Sequence, residues 1–210
     1  KTAELGHSVL GTKAMSWTGK VLHRAGLPLW TPSMPKSYNA DKAQKTTAAS
    51  PLKVVYFPSC LNQTMGIDKA SEGMKPLAEE MIELLGKAGY EVILPENMDS
   101  LCCGTIWESK GLPEIAANKT RQLEEALWEA SEHGKYPVVC DQSPCLHRMK
   151  QHMTKLELYE SAEFIWKFLK DRLAFTRTDR PVALHLTCST KLMKIDRIVY
   201  DLACLCSSQV

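Results

Sequence analysis

The sequence predicts an α/β fold: an open, mostly parallel sheet flanked by helices. Three observations lead to it. Short β-branched and apolar runs at Lys53–Phe57, Glu91–Leu94 and Tyr136–Cys140 alternate with amphipathic helical patterns, which is the βαβ signature. Proline or glycine closes each segment. Cysteines then stand just beyond the runs, where open α/β sheets bind their ligands: Cys60 after the first, Cys102-Cys103 shortly after the second, Cys140 and Cys145 at and after the third.

Composition narrows the classes. A chain of 210 residues holds one full domain and part of another. A net charge of +2 offers no electrostatic case for nucleic acid or an anionic membrane. No apolar run approaches the length of a transmembrane segment, and no secretory signal peptide is present. The start at Lys1 is the mark expected of a piece excised from a longer chain. The eight cysteines are unevenly spaced and include a neighbouring pair, which favours a reducing compartment and metal ligation over a disulfide framework.

Residues 1–50 read as a connector arm. Leu5 to Leu27, with Trp17, Val21 and Leu22, suits one or two short helices. Pro28, Pro32 and Pro35 then remove amide donors and stop helix growth. Trp30 is a candidate anchor for the arm, and 39–50 is a polar linker.

The strand Lys53–Phe57 ends at Pro58-Ser59-Cys60. Met74, Leu77, Ala78, Met81, Leu84, Leu85 and Ala88 recur at helical spacing before Gly89, and both methionines read as core. After Glu91–Leu94 comes Cys102-Cys103-Gly104. Adjacent cysteines are rarely needed for packing, whereas two thiolates backed by glycine suit a metal cluster approached from a tight turn. Ordinary buried or redox-sensitive thiols are the alternative. A helix over 113–133 presents Ile115, Leu123, Ala126, Leu127 and Ala130. Residues 141–145 read as the loop after the third strand, and 160–173 as an amphipathic helix around Phe164, Ile165, Phe168 and Leu169.

Val182–Cys188 reads as a further strand and opens an internal repeat. Placing Cys188 on Cys60 also places Val182 on Val54, Thr187 on Ser59, Met193 on Met65 and Ile195 on Ile67. The expected divisions are 1–50 as connector, 51–178 as a first cysteine-rich unit and 179–210 as a truncated second copy. That copy keeps Cys188, Cys204 and Cys206 and exposes an apolar helix surface.

The set Cys60, Cys102-Cys103-Gly104, Cys140/Cys145 and Cys188 resembles the cysteine-rich CCG domain. That domain occurs in pairs in heterodisulfide reductases, in the iron–sulfur subunits of glycolate oxidase and anaerobic glycerol-3-phosphate dehydrogenase, and at the carboxyl end of FAD-linked D-lactate dehydrogenases. The wording of residues 55–62, 102–111, 139–145 and 185–189 is most similar to the D-lactate dehydrogenase branch. The resemblance covers about 53–210. It implies a tandem CCG repeat with the second copy cut short, and an iron–sulfur cluster, of 4Fe–4S or non-cubane type, on Cys60, Cys102, Cys103 and Cys145. It also implies FAD and a ferredoxin-like domain elsewhere in the parent chain, and a quinone or cytochrome acceptor. The place implied is the cytoplasm, with a peripheral position at the inner membrane left open.

The family closes its motif with Cys-x-x-Cys, whereas four residues separate Cys140 from Cys145. Cys140 is therefore a fifth ligand, a displaced one or a bystander. His147 and His152 are nearby substitutes, with a surface or core role as the alternative for each. Trp107 and Pro144 are expected to shape the pocket, and His185 to pack on its strand. No acid–base pair, nucleophile triad or phosphate loop is visible, so substrate oxidation is expected outside this chain. Three functions stay open: an iron–sulfur electron relay, a metal-free thiol–disulfide module using Cys102 and Cys103, and a zinc-stabilised docking domain.

Overall fold

The computed structural model describes residues 2–31, 38–39, 48–67 and 73–210. The arm helix α1 (Thr2–Arg24) is broken at Gly11, whose φ of 72° and ψ of 167° are not helical, so two short helices share one span. Trp30 folds back onto its own helix, where a Cβ on Gly19 would lie 3.3 Å from it. The expected linker falls largely at 40–47, outside the described residues.

Four strands, β1 (Lys53–Phe57), β2 (Glu91–Ile93), β3 (Val138–Cys140) and β4 (Leu158–Glu160), form one sheet in the order β2-β1-β3-β4. Every pairing is parallel, with Lys53 opposite Glu91, Phe57 opposite Cys140 and Cys140 opposite Glu160. The chain leaves β1 for one side of the sheet, then returns to the other side as β3. The order therefore reverses at β1, and a crevice opens beyond the carboxyl ends of β1 and β3.

Period-two alternation divides the core. Val54, Tyr56 and Val139 meet Ala78, Met81, Ile82 and Leu85 of α3 (Leu77–Lys87), together with Phe164 and Leu169. Val55, Phe57, Val138 and Cys140 face the opposite layer. There they meet Leu123 and Leu127 of α5 (Pro113–Ala130) and Leu146 and Met149 of α6 (Ser143–His152). The short helices α2 (Cys60–Thr64) and α4 (Thr105–Ser109) precede the longer ones on each side.

Several expectations change. Met74 precedes the helix start at Pro76 and is exposed, so of the two methionines only Met81 is core. Ile115 is exposed, and the buried stripe of α5 is Ala116, Thr120, Leu123 and Leu127. That helix ends at Ala130 because Glu132, His133 and Gly134 take positive φ and reverse the chain. Residues 143–145 are the first turn of α6, not a loop, with Pro144 at a position that needs no amide donor. The segment after β4 begins as α7 (Ser161–Phe164) and widens into a π-helical turn at Ile165–Leu169.

The strand expected at 182–188 does not form. Pro181 lacks an amide donor, and no strand flanks the run. Instead Thr178 bridges Ser207, and Val182 N donates to Gln209 O at 2.8 Å. His185, expected to pack on that strand, is exposed. Local form does recur: Ser59 caps α2 at Cys60, and Thr187 caps α8 (Cys188–Leu192) in the same way. The last helix, α9 (Asp196–Cys206), buries none of its residues fully, and Tyr200 is exposed on it. Among the described residues, no helix is long and apolar enough to cross a membrane.

Two apolar positions of α5 provide a test. Leu123→Ala should cost about 2–5 kcal/mol in urea unfolding, whereas Ile115→Ala should stay within about 0.5 kcal/mol of the parent protein.

Candidate functional site

Cys60 is delivered by the turn that leaves β1. Ser59 Oγ accepts from Asn62 N at 3.4 Å and starts α2 one residue before the thiol reaches solvent. Asp141, directly after β3, holds this turn from the neighbouring strand. Its Oδ1 accepts the Ser59 amide at 2.8 Å and its Oδ2 accepts the Tyr56 hydroxyl at 2.7 Å. Burial, reinforced by the adjacent carboxylate, pushes the Tyr56 hydroxyl far above its ordinary range, so it remains a donor. Gln63 Nε2 donates to Pro58 O at 2.7 Å and closes the turn from the other side.

The Cys102-Cys103-Gly104 turn is held through its backbone. A short 3₁₀ turn at Met98–Ser100 leads into it, and Leu101 is buried beneath it. Gly104 has φ +92°, and a Cβ there would stand 2.5 Å from Ala116 O, 2.8 Å from Thr120 Oγ1 and 3.0 Å from Arg148 Nε. Only glycine satisfies both the dihedral and the contact. The Cys103 carbonyl accepts the Thr120 hydroxyl at 2.9 Å and Arg148 Nε–H at 3.0 Å. The Arg148 side chain is 7% exposed and its Nη1 is paired with Glu108, which is 57% exposed. That pairing holds the Glu108 carboxyl below its usual range.

These two turns and the first turn of α6 bring four thiols together. They lie close enough to perturb one another's ionisation: Cys60 with Cys102, Cys102 with Cys103, and Cys103 with Cys145. Hydrogen bonds from Cys103 and Cys60 drive the Cys102 thiol well below its ordinary range, helped by the Gly104 amide at 3.4 Å and the Lys119 ammonium. Cys145 is lowered by its bond from Cys103. Cys60 and Cys103 are raised chiefly by sharing their protons with Cys102. Cys103 Sγ also lies 3.2 Å from Thr105 Oγ1.

Cys140 is not part of this chain of contacts. It is fully buried at the end of β3, faces the α5–α6 layer and lies 3.9 Å from Gln142 O. Burial, then the Asp141 charge, pushes its thiol well up. His147 is half-buried and His152 exposed; Trp107 is half-buried and Pro144 exposed. Cys188 and Cys206 are exposed, and Cys204 stands beside Tyr200, one turn away on α9.

Sequence reasoning missed Thr120, Arg148, Glu108, Asp141 and Tyr56. Two of them left a signal. Thr120 interrupts the apolar stripe Ala116, Leu123 and Leu127, and Arg148 sits between Leu146 and Met149 on a helix face that packs against the sheet. A polar or charged side chain on a buried face needs a partner, and that need is itself a pointer to a site.

Among the described residues, no group of three or more His, Cys, Asp or Glu side chains is arranged around a single ion. The chemistry of the four thiols suits a thiolate-held centre all the same: four soft donors, with the Cys102 and Cys145 thiols held below their ordinary range. A cluster of several irons takes its thiolates on different irons and does not need them around one point. The family model of the CCG cysteine-rich domain matches residues 54–150. No curated protein and no solved structure matches the chain.

Gly104→Ala should destabilise the protein by about 1–3 kcal/mol, read as a lower urea midpoint with unchanged slope. In the reduced, metal-free protein at pH 6, iodoacetamide should modify Cys102 ahead of Cys60 and leave Cys140 untouched until unfolding. Mass mapping of the alkylated peptides checks that order.

Proposed function

Taking as premise that residues 54–150 form a CCG cysteine-rich domain, we propose that Cys60, Cys102, Cys103 and Cys145 hold an iron–sulfur centre that relays electrons. CCG cysteine-rich domains are commonly parts of iron–sulfur redox modules and are associated with oxidoreductase subunits. The observation that carries the reading is that Cys60, Cys102, Cys103 and Cys145, far apart in the chain, gather closely enough beyond the sheet to perturb one another's ionisation. A bound cluster supplies one-electron transfer. The protein's part is to aim the ligands. Asp141 fixes the Cys60 turn, Thr120 and Arg148 fix the Cys103 turn, and α6 presents Cys145. Each thiol that carries a proton releases it on ligation. Cys140 belongs to the core and not to the ligand set.

The wider role follows the resemblance of the local wording. The chain acts as the electron-transfer part of a FAD-linked 2-hydroxy acid dehydrogenase of the D-lactate type. It receives electrons from flavin and ferredoxin-like domains of the parent protein and passes them to a quinone or cytochrome. The first unit spans 51–178, and 179–210 opens a second, a division supported by the matching caps at Ser59 and Thr187.

A second reading has its own support. Cys60 with Cys102 and Cys103 with Cys145 lie near enough to perturb each other's ionisation, which makes them candidate disulfide partners in a metal-free redox module. Those pairs replace the neighbouring Cys102–Cys103 bond, which the strain of a vicinal ring disfavours.

Anaerobic purification with iron and acid-labile sulfide analysis separates these readings. A brown protein with near-stoichiometric iron and sulfide is expected. Cys60→Ser, Cys102→Ser, Cys103→Ser and Cys145→Ser should each lose most of the iron, and Cys140→Ala should keep it. Zinc in a colourless protein, or disulfides with no metal, overturns the proposal in favour of a docking or thiol–disulfide role.

A further inference from the structure

The helix that carries Cys145 also carries Arg148, three residues later and on the inside of the fold. Burying a guanidinium is costly unless its donors are matched. Here Nε reaches the Cys103 carbonyl at 3.0 Å and Thr120 Oγ1 at 3.2 Å, while Nη1 reaches Glu108. Thr120 Oγ1 adds its own bond to Cys103 O, and the absent side chain of Gly104 makes room for both. The planar fork therefore spans three elements at once: α4 through Glu108, α5 through Thr120 and the cysteine turn through its carbonyl. A carbonyl fixed by two donors fixes the peptide plane between Cys103 and Gly104, and with it the backbone from which the Cys103 thiol projects.

We propose that Arg148 is a positioning residue for the thiol site: its guanidinium sets the Cys102-Cys103 turn, and its charge, partly offset by Glu108, biases the centre that the turn holds. The proposal rests on the iron–sulfur reading only for its second half. The first half concerns this chain's own backbone and is open to measurement without metal. Lysine is a poor replacement, because a single ammonium has no fork to bridge the carbonyl and the carboxylate in fixed geometry.

The experiment uses the full chain with Arg148→Met, Arg148→Lys and Glu108→Gln. Lys150→Met serves as comparison: it removes the same charge from the same helix, where Lys150 pairs with Glu163 at 3.0 Å. In the reduced, metal-free protein, Arg148→Met should speed alkylation of Cys103 on the order of ten-fold, the scale of losing an outer-shell partner, with Cys140 still protected. Arg148→Lys should fall between, and Lys150→Met should match the parent. With iron and sulfide bound, Arg148→Met should lower the reduction potential, because removing a positive charge disfavours the added electron. Glu108→Gln should raise it by unmasking that charge. Arg148→Lys should keep the potential near the parent's while iron is lost faster to a chelator. Unchanged Cys103 protection in Arg148→Met overturns the proposal, as does equal loss of Cys140 protection or an equal shift in Lys150→Met. If Arg148→Met does not fold, Arg148→Lys and Glu108→Gln decide by the same readouts. A parent protein that takes up no iron removes the iron–sulfur reading and the charge arm with it, while the alkylation arm still decides the positioning role.

Discussion

The carbonyl of Cys103 is the acceptor on which the site depends. Thr120 and Arg148 both donate to it, and both reach it only because Gly104 has no side chain. Thr120 shares its hydroxyl with Ala116 O within α5, and Arg148 is otherwise satisfied by Glu108 at the edge of solvent. A buried polar network is stable only when every member is satisfied. The glycine, the threonine and the arginine therefore form one unit, and two of the site's thiols take their place from it.

A second anchor works on the other side of the crevice. Asp141 binds the Ser59 amide and the Tyr56 hydroxyl, so the turn after β1 is tied to the residue after β3. Strand pairing brings these ends together, since Phe57 lies opposite Cys140. From Asp141 the chain runs straight into α6, which supplies Cys145 and then Arg148. One short stretch thus pins the Cys60 turn, presents a thiol and pins the Cys103 turn. The parallel sheet creates the crevice, and this stretch gives it chemistry.

Sequence patterns reached the layered α/β core because its signals are local. Val54, Val55, Tyr56 and Phe57 are β-branched or aromatic and buried on both faces, as a central parallel strand requires. Strand β4 was missed because Leu158-Tyr159-Glu160 is short and half polar; it forms on the free edge that β3 provides. The opposite error came at 182–188, where an apolar run met no sheet edge and stayed irregular. Ile115 looked like core by spacing, but the face of α5 rotates so that Ala116 and Thr120 point inward. Spacing defines an apolar stripe to within one residue, and the neighbouring layer chooses which residue fills it.

By itself the sequence determined that Cys60 follows one strand and Cys140 ends another, that glycine follows the adjacent pair, and that helices alternate with parallel strands. Those are properties of neighbouring residues, set by side-chain period and backbone freedom. Tertiary structure alone decided that Cys140 turns into the core while Cys145 joins Cys103, and that Arg148 reaches a carbonyl forty-five positions earlier in the chain. Such contacts depend on how α5 and α6 pack against one face of the sheet. A buried donor meets its acceptor only after those layers have closed, and no local pattern encodes that distance.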